Sequence, residues 1–339
     1  MNYKTLGNTG LNVSGICLGT MTFGNKGFFK AMGSLGQPTA DKLVKHAVDG
    51  GINFIDTANV YSEGLSEEFT GQAIRNLGLH RDDLVLATKV KAPMGSGPND
   101  VGLSRKHILR QVDASLRRLK TDYIDLYQIH SVFPWEQVEE ALNTLNSLIV
   151  TGKVRYIGVS NISSWQLMKA LAYSTSLHIE RFASLQAYYS LAVRDVEREL
   201  LPLVQDQKLG LLIYSPLSGG LLSGKYDRDD QAAIEGRLRQ PFTAMPGDRD
   251  KAFAILDVLR PMAEAKQTSV AQLALAWLRY QPAVTSVIIG ATKESQLQDN
   301  LKSLDVTFTA DELRQLDEVS KLTAEYPQSL FETIANVNF

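Results

Sequence analysis

Eight short apolar runs, rich in β-branched residues, alternate along this 339-residue chain with longer segments of helical periodicity. They are Gly15 to Gly19, Ile52 to Asp56, Leu84 to Lys89, Ile124 to His130, Val154 to Ser160, Ala183 to Ala187, Leu209 to Tyr214 and Thr285 to Ile289. Most are apolar at successive positions, not at every second one, which is the pattern of parallel strands covered by helices on both faces. Between the runs, Ile108, Val112, Leu116 and Leu119 share one helical face behind Ser104, a residue type that caps helix N-termini. Ser163 to Leu177 and Val193 to Gln207 carry the same period, and Ser269 with Gln272 and Thr309 with Glu312 have capping-box spacing.

Eight strand and helix units predict a (β/α)8 TIM barrel, in which every strand edge is paired and the helices cover the outside. The competitor is an open doubly wound sheet, but Gly15-Ile-Cys-Leu-Gly19 lacks the glycine spacing expected after its first strand. Gly95-Ser-Gly97-Pro-Asn-Asp100 lacks a third glycine and reads as a flexible loop. Ahead of the first run, Tyr3 to Leu6 and Leu11 to Ser14 flank Gly7-Asn8-Thr9-Gly10, which predicts a β-hairpin placed to plug one barrel mouth. The long stretch between runs seven and eight includes Ser218 to Asp250, rich in Gly, Asp and Arg, and a loop of that length reads as either functional or disordered. No segment has linker composition, so residues 1–339 read as a single barrel domain.

Charge and cysteine usage narrow the partners. With 35 basic and 37 acidic residues the net charge is −2, which gives no electrostatic case for nucleic acid or an anionic membrane and leaves a small molecule as the expected partner. Cys17 is the sole cysteine, which excludes an internal disulfide or a multi-cysteine metal site and fits a reducing compartment. The first residues lack a signal-type apolar region and no run is long enough to span a bilayer, so the cytoplasm is the expected location. His46, His80, His107 and His178 have no ligand spacing, and no metal site is expected. Nothing in the sequence sets an oligomeric state.

Barrel sites collect at the carboxyl ends of strands. Asp56 ends the second run, Lys89 the third and His130 the fourth, and Tyr61 follows Asp56 by five positions. Each alone has an ordinary structural reading, as a turn residue, an ion-pair partner, a buried donor or a loop cover. Together, on adjacent strands, they place an acid, a phenol, an ammonium and an imidazole at one cavity. Lys89 would stabilise the phenolate and depress the Tyr61 pKa, Asp56 would hold the lysine, and His130 would orient a carbonyl oxygen. The set fits proton transfer to a carbonyl.

These residues sit in motifs that resemble the aldo-keto reductase family, closer to its bacterial and potassium-channel-beta-subunit-like branch than to the aldose reductase branch. The resemblance rests on Gly50-Gly-Ile-Asn-Phe-Ile-Asp-Thr-Ala-Asn-Val-Tyr61, Thr88-Lys89, Gln128-Ile-His130, Gly152-Lys-Val-Arg-Tyr-Ile-Gly-Val-Ser-Asn161, Tyr214-Ser-Pro-Leu-Ser-Gly-Gly-Leu-Leu-Ser-Gly-Lys225 and Ile289-Gly-Ala-Thr292. It implies a nicotinamide cofactor bound without a Rossmann fold and Asp56, Tyr61, Lys89 and His130 as a catalytic tetrad, with Tyr61 the general acid. It also implies that Ser160, Asn161 and Gln186 hold the carboxamide of the nicotinamide and that Tyr214 stacks on its ring. Ser215, Pro216, Leu217 and Gly219 would lie in the loop over the pyrophosphate, with Lys225 and either Arg237 or Arg239 adding charge. Gly290, Gln296, Asp299 and Asn300 fall in the adenosine-binding stretch.

The chain departs from the better-known reductases after the last run. Gly290, Ala291 and Gln296 stand where those carry a lysine, a serine and an arginine, so a bidentate clamp on a 2'-phosphate is missing. Lys293, Ser295, Lys225 and Arg239 are the replacements at hand. NADP(H) is the expected cofactor on the family's account, with NAD(H) the alternative. Phe23, Phe28 and Phe29, Trp135, and Tyr188 or Tyr189 are the candidates for an apolar substrate mouth. The expected activity is reduction of an aldehyde or ketone to an alcohol, the reverse being an alcohol dehydrogenase (NADP+) reaction. Two rivals stand beside it: a Schiff-base aldolase using Lys89, and a regulatory barrel that senses redox state through bound NADPH and turns over slowly.

Overall fold

The computed structural model describes residues 1–133, 135–136, 138–229 and 249–335. An antiparallel hairpin of β1 (Tyr3–Thr5) and β2 (Asn12–Ser14) precedes the barrel strands β3 (Ile16–Gly19), β4 (Phe54–Asp56), β5 (Val85–Val90), β6 (Ile124–Ile129), β7 (Val154–Ser160), β8 (Ser184–Tyr188), β9 (Gly210–Tyr214) and β10 (Val284–Ile289). Each barrel strand pairs in parallel with the next, and β10 pairs with β3 to close the ring. The eight runs read from the sequence are these strands. All six residues of β5, of β6 and of β10 are buried, as strands enclosed on both faces must be.

The helices are α1 (Gln37–Asp49), α2 (Leu65–Asn76), α3 (Arg105–Leu119), α4 (Glu139–Val150), α5 (Ser164–Ser176), α6 (Leu200–Asp206), α7 (Arg249–Ala265), α8 (Val270–Tyr280), α9 (Glu294–Leu301), α10 (Ala310–Ser320) and α11 (Gln328–Ala335). Ser104 caps α3 by accepting from the His107 amide, and the Thr309–Glu312 box at α10 is reciprocal. None is long and apolar enough to cross a membrane, among the described residues.

Two expectations need correction. The helix anticipated over Val193 to Gln207 starts only at Leu200, after a short 3-10 turn at Asp195–Glu197. Pro202 has no amide hydrogen and is favoured in a first turn, where none is needed, so the helix begins just ahead of it. At α8 the box is half formed: Ser269 accepts from the Gln272 amide, but the Gln272 side chain donates instead to Asp299. The glycine-bearing segment near Gly95 is a loop, as the sequence reads, in which Asp100 accepts from the Gly97 amide and pairs with Arg110.

The hairpin does plug a mouth. Leu6 and Val13 are fully buried in a small interior core with Cys17, Phe54, Val85, Ala87, Leu126 and Leu212, inside the barrel at the amino end of its strands. Gly7 sits so near the starts of β8 and β9 that a Cβ there would lie 2.5 Å from the Ala183 carbonyl and 2.7 Å from the Gly210 nitrogen. A larger core fills the space between barrel and helices. With the amino end filled, the carboxyl ends are left for chemistry. The long connection between β9 and β10 holds a 3-10 turn at Ser218–Ser223 and then α7 and α8; residues 230–248, with Arg237 and Arg239, lie outside the described residues.

Candidate active site

Asp56 is the last residue of β4, Lys89 the penultimate residue of β5, and His130 directly follows β6. Tyr61 opens a short 3-10 turn after β4. The Lys89 ammonium is fully buried and donates to Asp56 Oδ2 at 2.5 Å, to the Thr57 carbonyl at 2.9 Å and to the Tyr61 hydroxyl at 3.4 Å. The Tyr61 ring meets His130 edge to face, centroids 5.7 Å apart, and Phe29 at 5.0 Å. The four residues therefore converge, as their positions at strand ends predict.

The electrostatics differ from expectation in one respect. Burial raises the Tyr61 pKa above the ordinary phenol value, outweighing the downward pull of Lys89, and Asp56 adds to the rise. The phenol is thus held protonated at neutral pH. Burial alone would lower Lys89, but the Asp56 charge and the contact with Tyr61 hold its ammonium above the ordinary lysine value. Burial, followed by repulsion from Lys89 and Lys91, lowers His130 to about 3, so the ring is neutral at physiological pH. Its Nδ1 is buried without a hydrogen-bond partner among the described residues.

Several groups position the tetrad in roles the sequence does not disclose, where the resemblance gives Gln186 only as a carboxamide contact. Gln128 and Gln186 both donate to Asp56 Oδ1, at 2.9 and 3.0 Å, so each carboxylate oxygen is fixed. Tyr61 is followed by three left-handed residues, Ser62, Glu63 and Gly64, two of which pay strain for lacking glycine's freedom. The turn is clamped: a Cβ on Gly64 would lie 2.7 Å from Arg118 Cδ, and one on Gly24 would lie 2.6 Å from Ser62 Cβ. Arg118 donates to Glu67 at 2.6 Å, and Thr88, next to Lys89, donates to the other oxygen of the same fully buried carboxylate at 2.6 Å. Ser66 donates to the Thr20 carbonyl at 2.7 Å and meets the Thr57 hydroxyl at 3.0 Å. Glu67 gives no signal in the sequence, since acids in a first helical turn are routine. Gln128 lies inside an apolar run, where only the barrel's inward alternation reveals it.

Around the tetrad, Ser160 is buried at the end of β7 and Asn161 follows it with φ of 49°. Asn161 donates to the His130 carbonyl at 3.0 Å and to Ser160 Oγ at 2.9 Å, and accepts from the Tyr214 hydroxyl at 2.8 Å. Tyr214, half-buried at the end of β9, meets Tyr188 edge to face at 5.4 Å. These residues form one continuous rim with His130. From Ser215 onward the backbone is left-handed at Ser215, Ser218, Gly219, Gly220 and Gly224; Pro216 is buried, Leu217 half-buried, and Lys225 Nζ lies 3.8 Å from where a Gly220 Cβ would stand.

After β10, Gly290 is exposed. Gln296 accepts from the Thr292 and Lys293 amides and so caps α9 with its carbonyl oxygen. Asp299 accepts from Ser269 and Gln272, and Asn300 is buried. The acceptor oxygens of Gln296 and Asp299 are therefore engaged within the protein, which leaves the Gln296 amide nitrogen as the outward group of that pair.

The aromatic candidates separate. Phe23 is fully buried in the outer core, and Tyr189 is buried against Trp277 with its hydroxyl donating to Glu197, so both are structural. Phe29, not the more exposed Phe28, touches Tyr61. Trp135 is 78% exposed and stacks on Phe133 at 5.0 Å, while Lys91 sits 3.4 Å from the Phe133 ring and pairs with Glu136.

A closed parallel barrel plugged at its amino end, with a lysine-bound tyrosine, a carboxylate and a neutral histidine gathered at the other, defines the class as a (β/α)8 barrel with a cluster of polar side chains at the carboxyl ends of its strands. The sequence model of the aldo/keto reductase family matches residues 15–321, which is most of the chain. The protein belongs to that family of oxidoreductases. It is 37% identical over 338 residues to a probable voltage-gated potassium channel subunit beta of Arabidopsis thaliana, covering 97% of this chain and 99% of the relative. It is 37% identical over 330 residues to the uncharacterized oxidoreductase YrpG of Bacillus subtilis, covering 94% and 96%. It is 32% identical over 331 residues to norsolorinic acid reductase of Aspergillus flavus, covering 96% and 82%.

Proposed function

We propose that the protein reduces an aldehyde or ketone to an alcohol with a nicotinamide dinucleotide, NADPH in preference to NADH, and that Tyr61 supplies the proton. The observation that carries this reading is the Tyr61 hydroxyl held 3.4 Å from a fully buried ammonium that is itself bound to Asp56. The chemistry of the surrounding residues fits such a cofactor: a half-buried tyrosine ring beside an amide and a hydroxyl at Tyr214, Asn161 and Ser160, and a left-handed loop under Lys225. When bound, the dihydronicotinamide supplies the hydride. Tyr61 stays protonated until the carbonyl oxygen gains charge and then gives up its proton. Lys89 stabilises the phenolate that remains, in a dry site where that charge interaction is strong. Asp56, fixed by Gln128 and Gln186, keeps the ammonium aimed. Neutral His130 orients the carbonyl oxygen without adding a competing positive charge. Gln186, Ser215, Gly219, Lys225, Gln296 and Asn300 complete the cofactor's contacts, with Lys225 and Lys293 the cations for a 2'-phosphate. Phe29, Tyr188 and Trp135 border the substrate.

The test is a panel of aldehydes, ketones, quinones, sugars and steroids, each incubated with NADPH and NADH while the near-ultraviolet absorbance of the reduced cofactor is followed. Turnover with at least one carbonyl, faster with NADPH, is expected. Loss of the carbonyl without any cofactor oxidation, or no reaction across the panel, contradicts it.

A second reading follows from likeness to proteins named as probable potassium channel subunits beta. In it the barrel holds NADPH as a redox sensor and turns over slowly. Stopped-flow fluorescence separates the two: cofactor release that limits every turnover supports the sensor, and a fast steady state on an aldehyde removes it.

A further inference from the structure

The chemistry described above occupies the carboxyl ends of the strands. At the opposite end, Asn2, Lys4, Gly15, Arg279, Val284 and Thr285 line a small cleft between the hairpin, the start of β10 and the end of α8. Two cations face it. Lys4 Nζ donates to the Val284 carbonyl at 2.6 Å, and Arg279 donates one N–H to the Ser303 carbonyl at 2.6 Å. Neither has a carboxylate within ion-pair distance among the described residues, whereas the half-buried Arg81, Arg118 and Lys266 each do. An ammonium has three donors and a guanidinium five, so six N–H groups on these two half-buried cations have no protein acceptor among the described residues.

Two like charges in one partly dry cleft repel each other. Lys4 is accordingly held below the ordinary lysine value by burial and by Arg279. Arg279 is lowered by burial, against which Tyr280 and Asp305 act only through space. A carboxylate side chain would settle this arrangement, and the described chain provides none.

We infer that this cleft is a binding site for a small tetrahedral oxyanion, a phosphate or sulfate group, gripped between Lys4 and Arg279. Size selects the ligand. The cleft is small, about 30 Å3, which suits a small ligand, and its two cations call for an anion. Arginine offers the forked donors that phosphate geometry favours, lysine a point charge, and Asn2 and Thr285 further polar atoms at the rim. A bound anion would tie the hairpin to α8 and β10, so occupancy would stabilise the plugged end of the barrel in proportion to anion concentration. The site is independent of the carbonyl chemistry at the other end.

Thermal unfolding and titration calorimetry on the full chain test this, with inorganic phosphate in one arm, glycerol phosphate in a second, and sodium chloride at matched ionic strength as control. A saturable rise of a few degrees in Tm is expected with phosphate and not with chloride. Lys4→Met and Arg279→Met should each weaken phosphate binding by about tenfold or more, leaving carbonyl turnover at the wild-type level. Lys4→Gln removes the charge but keeps a donor for the Val284 carbonyl, and serves if Lys4→Met does not fold. A response to inorganic phosphate alone identifies a free-anion site, and a response to both identifies a site for the end of a larger phosphate compound. No saturable rise in the wild type, or a rise of equal size in the Lys4 and Arg279 variants, overturns the assignment.

Discussion

Tyr61 is pulled in two directions, upward by burial and downward by the ammonium beside it, and burial prevails in the protein alone. The sign of that balance sets a pH dependence. A phenol whose pKa is raised stays protonated through neutral pH and loses its proton only in alkali, so the reductive rate should be level between about pH 6 and 8 and decline only toward pH 10 or above. A pH profile of kcat for reduction checks this; a decline already at neutral pH would point to a different proton donor. His130, already neutral, should add no inflection in that range. The four tetrad residues were legible because each ends or closely follows an apolar run, where a polar side chain has few structural reasons to be. The expected depression of the tyrosine pKa was not, because sequence gives the neighbours of a group but not how much water it loses.

The element that sets Tyr61 in place is the left-handed turn from Ser62 to Gly64, pinned by the buried Glu67–Arg118 pair. Breaking a buried pair leaves one charge uncompensated and costs about 3–5 kcal/mol. Glu67→Gln should therefore lower stability by about 3 kcal/mol in chemical denaturation and slow turnover as the Tyr61 turn loosens. The Glu67→Gln, Arg118→Met double variant should lose less than the sum of the two single changes, because the second removes a charge the first has stranded. Additive losses would show that the pair does not act as a unit. At this scale the strands and most helices could be read from periodicity. The clamps could not, since Gln128, Glu67 and Arg118 are far apart in sequence and meet only when β6, α2 and α3 take their places around the barrel. Val193 to Gln207 is not one helix, because its apolar period carries no mark of Pro202, which favours a helix start at Leu200.

Across the whole molecule, one end of the barrel is filled and the other carries the candidate site. Leu6 and Val13 close the amino end from the hairpin, a placement already implied by the glycine turn between two short alternating pieces. Leu6→Ala should open a cavity there and cost about 2–5 kcal/mol. Because the plug lies at the far end from Tyr61, KM for a carbonyl substrate should not change; a lower Tm with an unchanged KM checks the separation, and a shifted KM would show that the two ends are coupled. Barrel closure was legible in the count of strands and helices. The aromatic mouth was legible only as a set of candidates, of which Phe29 reaches the tetrad and Phe23 does not, since side-chain direction in a loop leaves no periodic trace.

The central claim is that one phenol delivers the proton as the carbonyl is reduced, and single-turnover kinetics of Tyr61→Phe against wild type test it directly. Fluorescence titration should show NADPH bound with nearly the same affinity by both proteins, while oxidation of the bound cofactor by an aldehyde falls about 100-fold or more in the variant. Cofactor oxidation at the wild-type rate in Tyr61→Phe would contradict the account.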